Sequence, residues 1–83
     1  MNWLDRVTES VAQAAGVDPS ELKLDSETAR EILDLARIAS HASGERINAP
    51  LLCYELGLAV GKGATLADLA AAVRRERGPQ PPT

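Results

Sequence analysis

The sequence predicts an all-α fold, a small bundle of four main helices with one short helical turn. Three observations predict it. Apolar residues recur every three or four positions in four separate segments, as on one face of a helix. Each segment starts at a good helix-capping residue and ends at or near a glycine. No segment alternates between apolar and polar residues, as a half-buried strand would.

The length and composition predict one small domain. With 83 residues the chain can form a single core, and with no Phe, one Trp and one Tyr that core must consist of Leu, Ile, Val and Ala. We expect the helical domain to cover residues 1–78. The proline-rich residues 79–83 have nothing to bury and are expected to be a disordered tail. A homo-oligomer, or fusion to a larger protein, would relieve the limited stability of so small a domain.

The net charge and the cysteine content limit which kinds of partner and which cellular compartment are expected. A net charge of −3 argues against a nucleic-acid partner, and the arginines near the end of the chain fit the negative end of a helix dipole instead. Cys53 is the only cysteine, which excludes an internal disulfide and favours the reducing cytoplasm. The first residues lack the pattern of a signal peptide, and no apolar run approaches the roughly 20 residues of a membrane span, so no membrane partner is expected.

The first helix is expected to begin after Asn2, as N-cap, and to end at Gly16, with one apolar face buried. The run Asp18-Pro19-Ser20-Glu21 predicts a short helical turn. The longest helix should start at Asp25 or Ser26 and reach about Ser43. A last helix opens at Thr65 and ends before Gly78.

The segment from Asn48 to Gly63, NAPLLCYELGLAVGKG, is predicted to be the central helix. We expect Asn48 to cap it, with Pro50 in the first turn. It is apolar nearly all round, which is typical of a helix surrounded by others. Gly57 and Gly61 would then allow a close helix crossing.

Most motifs with a chemical meaning have a simpler explanation. The glycines around Lys62 lack the spacing and the preceding strand of a phosphate-binding loop. His41 is the only histidine, and it could act as a general acid or base, but a dipole-stabilised residue at a helix end is the favoured interpretation. Cys53 is expected to be a small buried hydrophobe. We predict no catalytic residues and no metal site.

The best candidate site is a shallow apolar groove with a polar rim. Four polar residues on the long helix form a seam at spacings of four, three and four. We expect part of this seam to face the next helix near the Ser43–Asn48 link. The residues expected to contact a ligand or partner are Asp34, Arg37, His41, Asn48 and Tyr54.

Three runs, MNWLD, ILDLARIASHAS and APLLCYELGLAVG, give the chain a family resemblance. It resembles a family of small bacterial helical domains of unknown function that occur alone or at the C-terminus of molybdenum-cofactor guanylyltransferases. The matching motif residues include Asp34, Arg37, His41 and Pro50. Ser40 departs from the pattern, where the family often has Ala.

The resemblance implies an accessory role around assembly of molybdopterin-guanine dinucleotide. The implied partners are the guanylyltransferase or a molybdoenzyme, and a molybdopterin-type cofactor is the candidate ligand. Two alternatives stay open at this point. One is a purely structural or dimerisation domain, and the other is a small enzyme that uses His41 as acid or base.

Overall fold

The computed structural model describes residues 2–76 and confirms the all-α fold, with four α-helices and a short 3-10 turn. No strand occurs within these residues. The predicted tail, residues 79–83, lies outside the described part of the chain. The elements in chain order are α1 (Trp3–Ala15), the 3-10 turn (Pro19–Glu21), α2 (Ser26–Ser43), α3 (Asn48–Gly61) and α4 (Leu66–Glu76).

Side-chain caps fix where most of these helices begin. The Asn2 Oδ1 atom accepts a hydrogen bond of 2.9 Å from the Asp5 backbone N–H, as predicted. Asp25 is the cap of α2, because its Oδ1 accepts from the Thr28 N–H at 2.7 Å. Each of these bonds satisfies an N–H group that has no partner inside the helix.

Asn48 does not cap α3, and that prediction is wrong. The residue before it, Ile47, already has helical backbone angles, with φ −63° and ψ −20°, and no side chain caps the helix. The Asn48 N–H instead donates to the Glu45 carbonyl at 3.2 Å. A capping residue needs an extended backbone, so a chain that enters α3 through a helical turn leaves Asn48 as its first helical residue.

The central helix is α2, and the prediction that α3 is central is wrong. Helices α2, α3 and α4 all contact one another, and α2 supplies two of the core residues, the fully buried Leu35 and the nearly buried Ile38. Leu56 of α3 and Ala70 of α4 complete this core. Five partly buried residues surround it: Ile32, Leu52, Leu66, Leu69 and Val73.

Helix α3 lies at the edge of the molecule, since neighbours cover only one of its sides. Leu58 and Val60 are about half exposed, although they belong to the most apolar segment of the chain. A Cβ atom built on Gly57 or Gly61 would meet nothing within 4 Å. The two glycines therefore serve no close helix crossing, contrary to the expectation from their spacing.

Helix α1 contacts the 3-10 turn, and none of its Cα atoms lies within 8 Å of a Cα atom of α2, α3 or α4. Its predicted apolar face is mostly exposed, at Trp3, Leu4 and Val11, although Ala12 of the same helix is buried. The chain after Gly16 holds α1 beside the turn and not across the core. Asp5 and Thr8 line the cleft between α1 and the residues that follow the turn, while Trp3 points its side chain to solvent. The molecule is elongated as a result, with extents of 47 × 27 × 20 Å.

Candidate binding groove

A groove of about 400 Å³ lies between α2 and α3, and the last turns of α4 close one side of it. We call it the α2–α3 groove. It opens beside the Ser43–Asn48 link, where the sequence placed the candidate site. Its lining residues are Ile38, Ala39, Ala42, Ser43, Asn48, Leu51, Leu52, Glu55, Val73 and Glu76.

Small residues on α2 make room for the groove. Ala39 and Ala42 are three positions apart, so they lie on neighbouring parts of one helix face. Neither side chain extends beyond Cβ, so α2 and α3 leave a gap there although they are in contact elsewhere along their length. Ile38, Leu52 and Val73 are buried or partly buried and form an apolar floor.

Two carboxylates give the groove its charge. Glu55 of α3 and Glu76 of α4 both line it, and both residues are exposed. No basic residue is among the lining residues. The groove therefore combines an apolar floor with a negative rim, which attracts an apolar group that carries a positive charge beside it.

The structure brings one of the five predicted site residues to this groove. Asn48 lines its end at the link, with its side chain partly buried. Tyr54 points away from the groove and is 72% exposed. Asp34, Arg37 and His41 lie on a different flank of α2 and do not line the groove.

Asp34 and Arg37 belong to an ionic network that joins α2 to α4. The Arg74 Nη2 atom donates to Glu31 Oε1 at 2.5 Å and to Asp34 Oδ2 at 2.9 Å. Arg37 Nη2 donates to the other Asp34 oxygen, Oδ1, at 2.7 Å. Both Asp34 oxygens are thus engaged within the chain.

The same contacts shift the acid–base properties of the network. Hydrogen bonds from Arg37, and next from Arg74, hold the pKa of Asp34 below its ordinary value. Hydrogen bonds to Glu31 and then Asp34 raise the pKa of Arg74, so its guanidinium stays charged. Asp34, in the polar seam of α2, therefore links α2 to α4 through Arg74, which is a structural role.

Sequence reasoning missed Arg74, which it assigned to a solvated helix end. A local signal existed, because Arg74 follows the buried Ala70 by four positions and so lies on the same face of α4. Its carboxylate partners lie 40 and 43 positions earlier in the chain. A contact between residues so far apart in the sequence cannot be predicted from local sequence patterns.

His41 and Cys53 are the other side chains with reactive groups, and neither lines the groove. His41 is exposed in the last turn of α2, where the helix dipole favours a positive charge. Cys53 is a free, partly buried thiol. Among residues 2–76 no three His, Cys, Asp or Glu side chains are grouped so that they could hold a metal ion.

None of the helices in the described part of the chain has the length and apolar character needed to cross a bilayer.

Comparison with curated proteins and with solved structures finds no match. One family model does match, over residues 1–78, and its description is "domain of unknown function (DUF6457)". A small helical domain of unknown function is what the resemblance predicted. Its association with guanylyltransferases stays a prediction.

Proposed function

We propose that the chain, which belongs to the family DUF6457, is a non-catalytic helical module that binds a protein segment in the α2–α3 groove. The observation that supports this most is the composition of the groove. The groove has a volume of about 400 Å³ and an apolar floor, which suits several aliphatic or aromatic side chains of a partner. Its lining residues all belong to α2, α3 and α4, so the surface is preformed.

The groove also suggests what the partner segment carries. Glu55 and Glu76 on its rim favour Lys or Arg next to the apolar side chains that fill the floor. An amphipathic helix with one basic edge has this combination, and it would lie in the groove by its apolar face. Asn48 offers amide hydrogen bonds at the end of the groove.

The cellular setting of the proposal rests on the family resemblance. We place the module in molybdenum-cofactor maturation, in the cytoplasm, with the guanylyltransferase or a molybdoenzyme as the protein partner. The groove favours the protein over the cofactor itself, because the phosphates of a molybdopterin-type cofactor would meet Glu55 and Glu76. The proposed partner is therefore a polypeptide.

The five candidate residues have different roles in this proposal. Asn48 contacts the partner, whereas Asp34 holds α2 to α4 through Arg74. Arg37, His41 and Tyr54 lie outside the groove and outside the proposed contact. An enzyme that uses His41 has no supporting observation, since the exposed imidazole lies away from the groove.

The test is binding of the purified chain to the guanylyltransferase and to a molybdoenzyme from the same organism, measured by calorimetry. Ala42→Arg fills the groove and offsets one of its two negative charges, and we expect it to weaken binding about tenfold or more, about 1.4 kcal/mol. Ala71→Arg is the matched control, an exposed alanine of α4 that does not line the groove. It should bind like the wild type.

The variants Arg37→Ala and His41→Ala distinguish the groove from the polar seam. Both should retain wild-type affinity. If they lose binding while Ala42→Arg retains it, the seam is the site and the groove proposal is wrong. If the wild type binds neither protein, the molybdenum-cofactor setting is wrong.

A further inference from the structure

Four large side chains form a continuous exposed line along α3. Ile47, at its entrance, and three residues of the helix are spaced by four, three and four positions, so they lie on one face. We call them the α3 stripe: Ile47, Leu51, Tyr54 and Leu58, which are 64%, 59%, 72% and 50% exposed. No charged residue belongs to the stripe.

Helix α1 has a second exposed apolar surface. Trp3, Leu4 and Val11 are 67%, 60% and 51% exposed, and we call them the α1 stripe. Asp5 and Thr8 line the cleft beside the 3-10 turn, and Leu4 reaches its edge. Trp3 and Val11 lie outside this cleft, so most of the α1 stripe faces solvent within a single chain.

We propose that a second copy of this chain covers both stripes, with the α1 stripe of each copy packed on the α3 stripe of the other. The two faces belong to helices of similar length, 13 and 14 residues. They do not meet within one chain, because no Cα atoms of α1 and α3 come within 8 Å. A two-fold axis makes both contacts at once, as in an isologous dimer.

The exposed area fits a stable dimer. Seven large side chains that are each half to nearly three-quarters exposed present roughly 800 Å², about the area that one partner buries in a standard-size interface. The absence of charge from both stripes matches the centre of such interfaces, where charged residues are depleted. The five buried hydrophobic residues of the described part of the chain, meanwhile, are a small core for a stable single chain.

The dimer and the groove are separate proposals. Leu51 contributes to both surfaces, but the floor of the groove and its two carboxylates lie outside the stripes. The dimer is tested on the chain alone, with no other protein present. Its failure would leave the groove proposal standing, and the reverse also holds.

The first experiment is the mass of the full chain in solution, by light scattering and sedimentation up to about 100 µM, above the micromolar dissociation constants of weak interfaces of this size. We expect twice the chain mass of 8.8 kDa. A monomer throughout this range would overturn the proposal.

Charged substitutions then test which helices meet. Val11→Lys and Tyr54→Glu lie near the middle of their helices, so the two positions come close whichever way the helices run. Each alone should give a monomer with unchanged far-UV circular dichroism, since both residues are exposed. The double variant should dimerise again, because every α1–α3 contact then pairs a Lys with a Glu.

Leu33→Glu is the control, since Leu33 is 70% exposed on α2 and belongs to neither stripe. It should remain dimeric. A dimer that survives Val11→Lys and Tyr54→Glu would use another surface, and that result overturns the proposal. A double variant that stays monomeric would overturn the pairing of α1 with α3.

Discussion

At the scale of single residues, Arg74 has the most consequential contacts. Its guanidinium binds Glu31 and Asp34, and Arg37 holds the second Asp34 oxygen. The network is partly exposed, so we expect it to orient α4 on α2 more than to stabilise the fold. Its effect on stability should nevertheless depend on pH, because Asp34 has a lowered pKa in the folded chain.

Asp34→Asn should lower the melting temperature at neutral pH and change its pH dependence. A carboxyl whose pKa is lowered by folding stabilises the fold above the ordinary aspartate pKa, about 3.9, and loses that effect as the pH falls through the lowered pKa. The difference from wild type should therefore be present from about pH 7 to pH 5 and shrink as the pH falls below the ordinary aspartate pKa of about 3.9. Thermal melts followed by circular dichroism measure it.

Glu9→Gln is the control for this experiment. Glu9 is an exposed carboxyl of α1, outside the network, and the pH dependence of this variant should follow that of the wild type. An Asp34→Asn variant that loses no stability near neutral pH would show that the network does not stabilise the fold.

At the scale of elements, sequence reasoning succeeded where the signals are local. Asn2 and Gly16 cap the two ends of α1 as predicted, and Asp25 is the cap of α2 out of the two residues predicted, because a cap depends on residues at most a few positions away. Asn48 failed, because the backbone of the preceding link decides whether a side chain can cap, and residue types alone do not specify that backbone. A groove lies beside the link where a site was expected, and of the five candidates only Asn48 lines it.

The exchange of roles between α2 and α3 has a similar cause. A helix that is apolar on all sides can be buried on every side, but its sequence does not indicate whether the residues that cover it come from the same chain or from another. Residues of α3 such as Leu58 are left for a neighbour that the sequence of one chain cannot reveal. The longer and more polar α2 is central because two of the buried core residues, Leu35 and Ile38, lie on it.

The central position of α2 predicts a large difference between two leucines two residues apart. Leu35→Ala removes a fully buried side chain and should lower the free energy of unfolding by about 2–5 kcal/mol. Leu33→Ala, at a side chain that is 70% exposed, should change it by about 0.5 kcal/mol or less. Urea denaturation measures both. Equal effects would contradict the assignment of the core to this face of α2.

At the scale of the whole molecule, a small core coexists with extensive apolar surface. Among residues 2–76 five hydrophobic residues are buried, while most of the large hydrophobic side chains of α1 and of the outer side of α3 are in solvent. Surfaces of this kind mark contacts with other molecules. The groove and the two stripes are therefore the parts of this domain through which we expect it to act.

The central claim is that α1 and α3 are contact surfaces, and hydrogen–deuterium exchange of the wild-type chain at about 1 µM and about 100 µM tests it most directly. In a single chain α1 contacts the 3-10 turn and packs on no other helix, so its amides should exchange quickly at the lower concentration. We predict that exchange in α1 and α3 slows at the higher concentration, with the largest gain in α1. Exchange rates in α1 that are the same at both concentrations would contradict the claim.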